Sequence, residues 1–388
     1  MINIIKNQNL AEAGRKRMNW YRSQMTIMRS FNERYMKEKP FEGMRLLVCM
    51  HCEPKAAVRT EVLLNAGVKE IVFVGNLGST KDDIAAYLSE NPRIKVMAKS
   101  DDTLEDLNHY IAIALKEGPY DLFMDNGASI MLQYDKNAFT PLGGIEETRS
   151  GRLLLNENDI EPDFPLLIID DSRVKRLIEN ETGVGQSVVD GFLRQTSMLL
   201  GGKKVLIIGY GFCGRGISQR FRALGAVTYV YDTDNVAMLK AKVEGHIVGK
   251  LEDLLPQADV VITVTGRFHV LGVKHIQYLK DNCIIANVGH YNMEIDIDEL
   301  KEISDSIEVL QDGIEQLTVN GKRINILQKG NPLNLSSGAG NPIEIMELGY
   351  ALQLLSLEAI VKDKSLNSGI QGLPDYVEQF AAKAALGL

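Results

Sequence analysis

Short apolar runs in this chain alternate with stretches whose apolar residues recur at helical spacing. Residues 45–50, 70–74, 95–97, 121–124 and 166–169 read as buried strands. Residues 56–66, 81–88 and 104–116 read as the helices between them. This alternation predicts βαβ units, and so a mostly parallel sheet with helices on both faces. A second series begins near residue 203, with strands at 204–208, 227–231, 260–265 and 283–288. Residues 172–198 read as two short helices with a turn at Gly183, and a long helix is predicted over about 343–360. The fold class is α/β, with two doubly wound parallel-sheet domains.

In such sheets the ligand crevice lies at the carboxyl ends of the strands. In the first series those ends carry His51, Glu53, Asn76, Asp125, Asn126 and the Asp170-Asp171 pair. Any one of them alone reads as a cap or turn residue. Their clustering makes them candidates. In the second series the strand at 204–208 runs straight into Gly209-Tyr210-Gly211-Phe212-Cys213-Gly214. A helix, a strand and Asp232 follow, the last 23 residues after Gly209. Strand, G-x-G-x-x-G, helix, strand and acid together form the dinucleotide fingerprint of a Rossmann domain. Gly209 permits the tight turn, Gly211 lets backbone approach a pyrophosphate, and Gly214 lets helix and strand pack closely. The helix N-terminus offers N–H groups to phosphate. The charge of Asp232, where a ribose-binding acid belongs, favours NAD over NADP.

Composition adds exclusions. With 388 residues the chain has room for two or three domains. Its net charge of −8 argues against nucleic acid or an anionic membrane as partner. No apolar run reaches the roughly 18 residues of a membrane span, and the N-terminal 20 residues lack a signal-peptide core. Four cysteines, Cys49, Cys52, Cys213 and Cys283, are too scattered for a disulfide framework. Cys49-Met50-His51-Cys52 has no second ligand pair at zinc-like spacing, so no metal is expected. A reduced, cytoplasmic protein is the expectation.

Several further segments fall in a telling order. They are Ser79-Thr80, Gly144-Ile145-Glu146-Glu147-Thr148, Asp171-Ser172 before Lys175 and Asn180, Asp190-Gly191, Thr263-Val264-Thr265-Gly266, Asn287-Val288-Gly289-His290 and Glu294-Ile295-Asp296. With the fingerprint, they make the chain resemble the S-adenosylhomocysteine hydrolase superfamily from about Leu10 to Leu388, most closely between Pro165 and Asn334. The resemblance implies tightly held NAD and a nucleoside substrate. It implies transient oxidation of a 3′-hydroxyl, removal of the 4′ proton, elimination of the 5′ group, hydration and reduction. The chemistry is sensible, because a proton α to a ketone is within reach of a side-chain base.

Carried over by position, Lys175 assists 3′-hydroxyl deprotonation and Glu147 holds the ribose hydroxyls. Glu179, Asn180 and His290 adjoin the sugar, and His51 lies near the 5′ leaving group. Thr148, Thr265, Gly289 and Asn334 match cofactor contacts, and Asp232 stands where the family has a glutamate. Phe212, Cys213, Arg149, Ser150, Thr263, Gly266 and Val288 are their neighbours in the cofactor set. Glu53, Lys55, Asn76, Asn341 and Met346 form the expected substrate set. The implied domains are 1–183 for substrate, completed by the helix at 342–366, and 184–341 for NAD, with a short segment at 367–388. The active site is expected in the cleft between the two domains.

Departures from the family pattern bear on the substrate. Asn126 replaces an acid-base aspartate, so the 5′ proton step falls to His51 or Asp125. Val184 replaces a cysteine. Lys55 replaces a glutamate that accepts from the adenine amino group, and a lysine has only donors. Lys55 either reads a 6-oxo base such as hypoxanthine or swings to solvent. Asn341 replaces a histidine, Glu344 adds a charge, and Arg149 and Ser150 interrupt a run of threonines. The sequence stops at Leu388 without the family's basic, tyrosine-containing tail, which implies weaker NAD binding and leaves homodimer and homotetramer both open. Three functions follow: a hydrolase of this type, an enzyme that ends in elimination, epimerisation or net oxidation, and a non-catalytic NAD-binding regulator.

Overall fold

The computed structural model describes residues 2–289 and 293–388, so His290 lies outside the described residues. The chain divides into two compact units. The first comprises Met1–Arg176 and Ile343–Leu388, the second Leu177–Pro342.

The first unit is built on eight strands, all paired in parallel. Their order is Ile4–Ile5, Ile94–Ala98, Glu70–Gly75, Arg45–Met50, Leu122–Asp125, Gly143–Glu146, Pro165–Ile168 and Gly369–Gln371. From Arg45–Met50 the chain winds outward to one side, then returns to Leu122–Asp125 and winds to the other. The switch in winding direction opens a crevice at the carboxyl ends of these two strands. His51 and Asn126 directly follow them in sequence. Apolar layers cover both faces of the sheet, one including Val48, Phe73 and Leu352 and the other Val74, Phe123 and Leu166.

The strand Gly143–Glu146 was not marked by the sequence pattern, because its two glycines interrupt the apolar run. They serve an approach instead: a Cβ on Gly143 would meet Ile360 Cγ2 at 2.6 Å. The helix Ile343–Lys362 packs there, and it is buried along most of its length. Residues 367–388 are part of the same unit rather than a separate segment. Gly369–Gln371 extends the sheet, and the helix Asp375–Leu386 packs on Ile343–Lys362.

The second unit carries another eight-stranded sheet, in the order Ile247–Val248, Val227–Tyr231, Lys204–Ile208, Val260–Thr263, Cys283–Asn287, Lys322–Leu327, Ile314–Val319 and Ser306–Gln311. Its switch point lies between Lys204–Ile208 and Val260–Thr263, where the fingerprint loop begins. The last two strands run antiparallel, each joined by a two-residue turn, Asp312-Gly313 and Asn320-Gly321. Asn320 and Gly321 both have positive φ, 50° and 74°, as tight hairpins require.

Gly183 does not form a turn. Its φ and ψ of −68° and −51° are helical, and a π-helical stretch, Val174–Gly183, runs directly into the helix Val184–Thr196. Widened winding replaces the break the sequence suggested, and such stretches are frequent at functional sites. The two compact units divide after Arg176, within this stretch. A Cβ on Gly216 would sit 1.7 Å from the Glu181 carbonyl oxygen, and one on Gly185 would sit 2.6 Å from the Gly216 carbonyl. Gly216→Ala should therefore destabilise the protein by about 2–3 kcal/mol or more. A denaturant midpoint unchanged by the substitution would contradict this packing account.

Candidate functional site

In the first unit the candidate residues meet at the strand ends. Glu53 caps the helix Pro54–Asn65: its Oε1 accepts from Ala56 N at 2.8 Å and from the Tyr350 hydroxyl at 2.9 Å. Lys55 Nζ lies 2.8 Å from Glu53 Oε2. Burial alone would raise the Glu53 carboxyl, but Lys55, the Ala56 N–H and Tyr350 outweigh it and hold the group below its usual range. Lys55 does not swing to solvent. It is 3% exposed, with its ammonium 5.7 Å from the Tyr21 ring centre.

Lys175 is also buried and donates to Glu147 Oε1 in a short ion pair. The other Glu147 oxygen accepts from Gln353 Nε2 at 2.6 Å, and Gln353 Oε1 accepts from Arg59 Nη1 at 2.6 Å. Since a guanidinium only donates, Arg59 orients the Gln353 amide and turns its N–H2 toward Glu147. The sequence reading missed both residues, although the spacing of Arg59 one helical turn after Lys55 was visible.

His51 Nδ1 lies 2.6 Å from Ser79 Oγ. Burial lowers the imidazole pKa to about 4 against the pull of Glu53 and Glu147, so the ring is neutral near pH 7 and fit to accept a proton. Asn76 Nδ2 donates to Asn126 Oδ1 at 2.9 Å, two buried amides paired where the family has an acid. Asp125 is engaged otherwise. Oδ1 accepts from Asn126 N, and Oδ2 from Ile130 N and Met131 N. Burial and Glu146 push its pKa up, against these three donors. Glu146 likewise accepts from Gly127 N, Ala128 N, Thr148 N and Thr148 Oγ1. Both acids brace the loops beside the site.

Thr148 caps the helix Arg149–Glu157 by accepting from Gly151 N at 2.9 Å, and Ser150 Oγ is 3.1 Å from Thr148 Oγ1. Arg149 is exposed, and Met346 is half-buried against the core. The π-helical stretch carries Lys175, Glu179 and Asn180, of which Lys175 belongs to the first unit and the other two to the second.

The second unit fits a dinucleotide. Gly209 has φ +105°, and a Cβ on Gly214 would lie 2.0 Å from the Gly209 carbonyl oxygen. Gly211 begins the helix Phe212–Ala223, and no side chain caps it, which leaves its first N–H groups to a phosphate. The Arg215 guanidinium is 5.9 Å from the Phe212 ring centre, and Cys213 is half-buried. Asp232 Oδ2 accepts from Tyr210 N at 2.6 Å and Oδ1 from Asp234 N at 2.9 Å. A carboxylate offers about four acceptor sites, so capacity remains for ribose hydroxyls.

On the far side of the switch point, Thr263 Oγ1 is 3.3 Å from Asn287 Oδ1. Buried Glu294 accepts from Thr265 N and Gly266 N, at 2.9 and 2.7 Å. Gly289 is pressed against it: a Cβ there would meet Glu294 Oε1 at 1.6 Å. Val288 lies at the core edge. Asn334 Nδ2 and Asn341 Oδ1 both meet Ser187 Oγ, at 3.3 and 2.8 Å.

Comparison with known proteins agrees with this arrangement. The S-adenosyl-L-homocysteine hydrolase NAD-binding domain matches residues 180–340. The adenosylhomocysteinase of Aquifex aeolicus is 34% identical, over 98% of this chain and 93% of its own length. The S-inosyl-L-homocysteine hydrolase of Methanosarcina mazei shows the same identity and coverage. The chain belongs to the adenosylhomocysteinase family. It is an NAD-dependent hydrolase of that type, with the α/β architecture and NAD domain that its sequence pattern led us to expect. No helix among the described residues is long and apolar enough to cross a membrane.

In this hydrolase Gln353→Leu would strand Arg59 and Glu147 without their shared partner. A loss of about 2–4 kcal/mol is expected, read from urea unfolding. Unchanged stability would mean that the Arg59–Gln353–Glu147 chain holds nothing.

Proposed function

We propose that this hydrolase cleaves a nucleoside 5′-thioether of homocysteine whose base is a 6-oxopurine, taking up one water and releasing homocysteine and the free nucleoside. The observation that carries the base assignment is the buried Lys55–Glu53 pair, which presents a donor where the family presents an acceptor. A mismatch of a buried donor against the adenine amino group costs about 1–3 kcal/mol. The name of the Methanosarcina mazei relative points the same way.

NAD, when bound at the fingerprint of the second unit, supplies the hydride acceptor and donor for the sugar 3′ carbon. Lys175 assists loss of the 3′-hydroxyl proton, for which its amine must be in the neutral form, and Glu147 holds both that lysine and the ribose hydroxyls. Neutral His51 carries the proton at the 5′ side, with Ser79 fixing its ring. The Asn76–Asn126 pair positions by hydrogen bonds and transfers no proton. The family resemblance assigns Glu179, Asn180 and His290 to the sugar. Thr263, Thr265, Gly266, Val288, Gly289 and Asn334 join the glycines and Asp232 in the cofactor set, to which the family resemblance also assigns Thr148, Arg149 and Ser150. Asn341 and Met346 lie toward the base and tail. The substrate region is residues 1–183 with the helix at 342–366, and the cofactor region 184–341. We take the protein to act in the cytoplasm as a homodimer or homotetramer, in keeping with four free cysteines.

The Asn126 replacement favours one second reading, elimination without hydration. Thiol release from S-inosylhomocysteine and S-adenosylhomocysteine, with analysis of the nucleoside product, separates the two. We expect intact inosine, and at least about tenfold preference for the inosine substrate. Lys175→Met should slow reduction of bound NAD by about 10²–10⁴. His51→Gln should keep that reduction and lose thiol release. Reduction at the normal rate in Lys175→Met would overturn the role of the lysine, and an unsaturated nucleoside product would establish the second reading.

A further inference from the structure

Arg59 is 1% exposed, yet two of its three guanidinium nitrogens, Nε and Nη2, have no hydrogen-bond partner among the described residues. Only Nη1 is engaged, by Gln353 at 2.6 Å. Glu147 and Glu53 are near enough to act on the guanidinium through their charge, but neither forms an ion pair with it. A buried cation with unused donors is costly, and a fold keeps one where a partner from outside completes it.

The two unused nitrogens are not an arbitrary pair. Nε–H and the outward N–H of Nη2 point in parallel from one edge of the guanidinium, the fork that meets two adjacent acceptors. Arg59 also stands among the residues of the base-reading segment. It follows Lys55 by one helical turn, and its guanidinium lies 5.2 Å from the ring centre of Tyr350, whose hydroxyl is bound to Glu53. Adjacent acceptors occur on one edge of a 6-oxopurine, at O6 and N7, the pair that arginine reads in guanine. Adenine has an amino group in place of O6.

We propose that Arg59 is a specificity-determining residue that reads the O6/N7 edge of the substrate base through Nε and Nη2. The assignment rests on the nucleoside thioether function proposed above and adds the group that selects the base. It also separates two duties of one side chain: Nη1 orients Gln353, while the fork edge faces substrate.

The test is equilibrium binding to the full-length, NAD-loaded protein. The ligands are inosine, adenosine, purine riboside (no O6), 7-deazainosine (no N7) and homocysteine alone. Inosine should bind about 10- to 100-fold more tightly than purine riboside and should also exceed 7-deazainosine. In Arg59→Met the ratio of inosine to purine riboside should fall to within about threefold, since the cycle isolates the contact between that side chain and O6. Equal binding of inosine and purine riboside by the unaltered protein would overturn the proposal. So would a proportional loss for both ligands in Arg59→Met, which is what a role through Gln353 alone predicts. Arginine-dependent binding of homocysteine would assign the fork to the tail carboxylate instead. If Arg59→Met does not fold, the ligand series on the unaltered protein still decides. Binding of adenosine but not inosine sinks this inference and spares the nucleoside function. Binding of no nucleoside at all ends both.

Discussion

Charge buried at the carboxyl ends of the first sheet is the constraint on which the substrate half of this protein depends. Lys175, Glu147, Arg59, Lys55 and Glu53 all lie where water is scarce. An unpaired charge there would cost several kcal/mol, and the cost is met only when each group finds a partner of matching geometry. Three elements supply those partners. The helix Pro54–Asn65 gives Lys55 and Arg59, the turn after Gly143–Glu146 gives Glu147, and the helix Ile343–Lys362 gives Tyr350 and Gln353. That last helix therefore belongs to the site as much as to the core, and its return from the far end of the chain is what closes the network.

Each unit uses the same device to hold a loop beside its ligand. Glu146 accepts from three backbone N–H groups of the loops at 127–128 and 148, and Glu294 from two at 265–266. Both glutamates sit against a glycine that cannot take a side chain: a Cβ at Gly151 would lie 2.2 Å from Glu146 Oε1, and one at Gly289 would lie 1.6 Å from Glu294 Oε1. A carboxylate that accepts several backbone donors fixes loop conformation without helix or sheet. It also leaves the second acid of Glu146-Glu147 to pair with Lys175 and Gln353. The first is spent on the backbone.

What could be read from the sequence divides by distance along the chain. The fingerprint, the strand ends and the helix Leu104–Lys116 are local patterns, and the structure has them where the pattern put them. The Rossmann glycines are contiguous and each answers a local steric demand. Arg59 and Gln353 are 294 residues apart, and nothing in the periodicity of either helix announces that they touch. Lys55 was legible as a donor but not as a buried one, because its burial depends on Glu53 and Tyr21 closing around it. Gly183 misled for the opposite reason. A glycine signals a turn only when the neighbouring chain does not supply helical hydrogen bonds, and here the π-helical stretch continues through it. The antiparallel edge of the second sheet was marked by Asp-Gly and Asn-Gly turns, a local signal that the emphasis on βαβ alternation passed over.

The paired amides Asn76 and Asn126 set the proton economy of the site. An amide donates and accepts hydrogen bonds but exchanges no proton near neutral pH, so a family acid has been converted into a positioning group. The duty cannot pass to Asp125, whose oxygens already hold the turn at 126–131. Under the proposed function it passes to His51, and the surroundings of that ring keep it neutral and able to accept. Its pKa of about 4 keeps it neutral from pH 5 upward. A ring so poised takes a proton readily only when the site gains negative charge beside it, as when a thiolate departs or water is deprotonated. Under the proposed function, desolvation thus does more than pack the histidine: it ties protonation of the ring to charge that develops on the departing group or on water beside it.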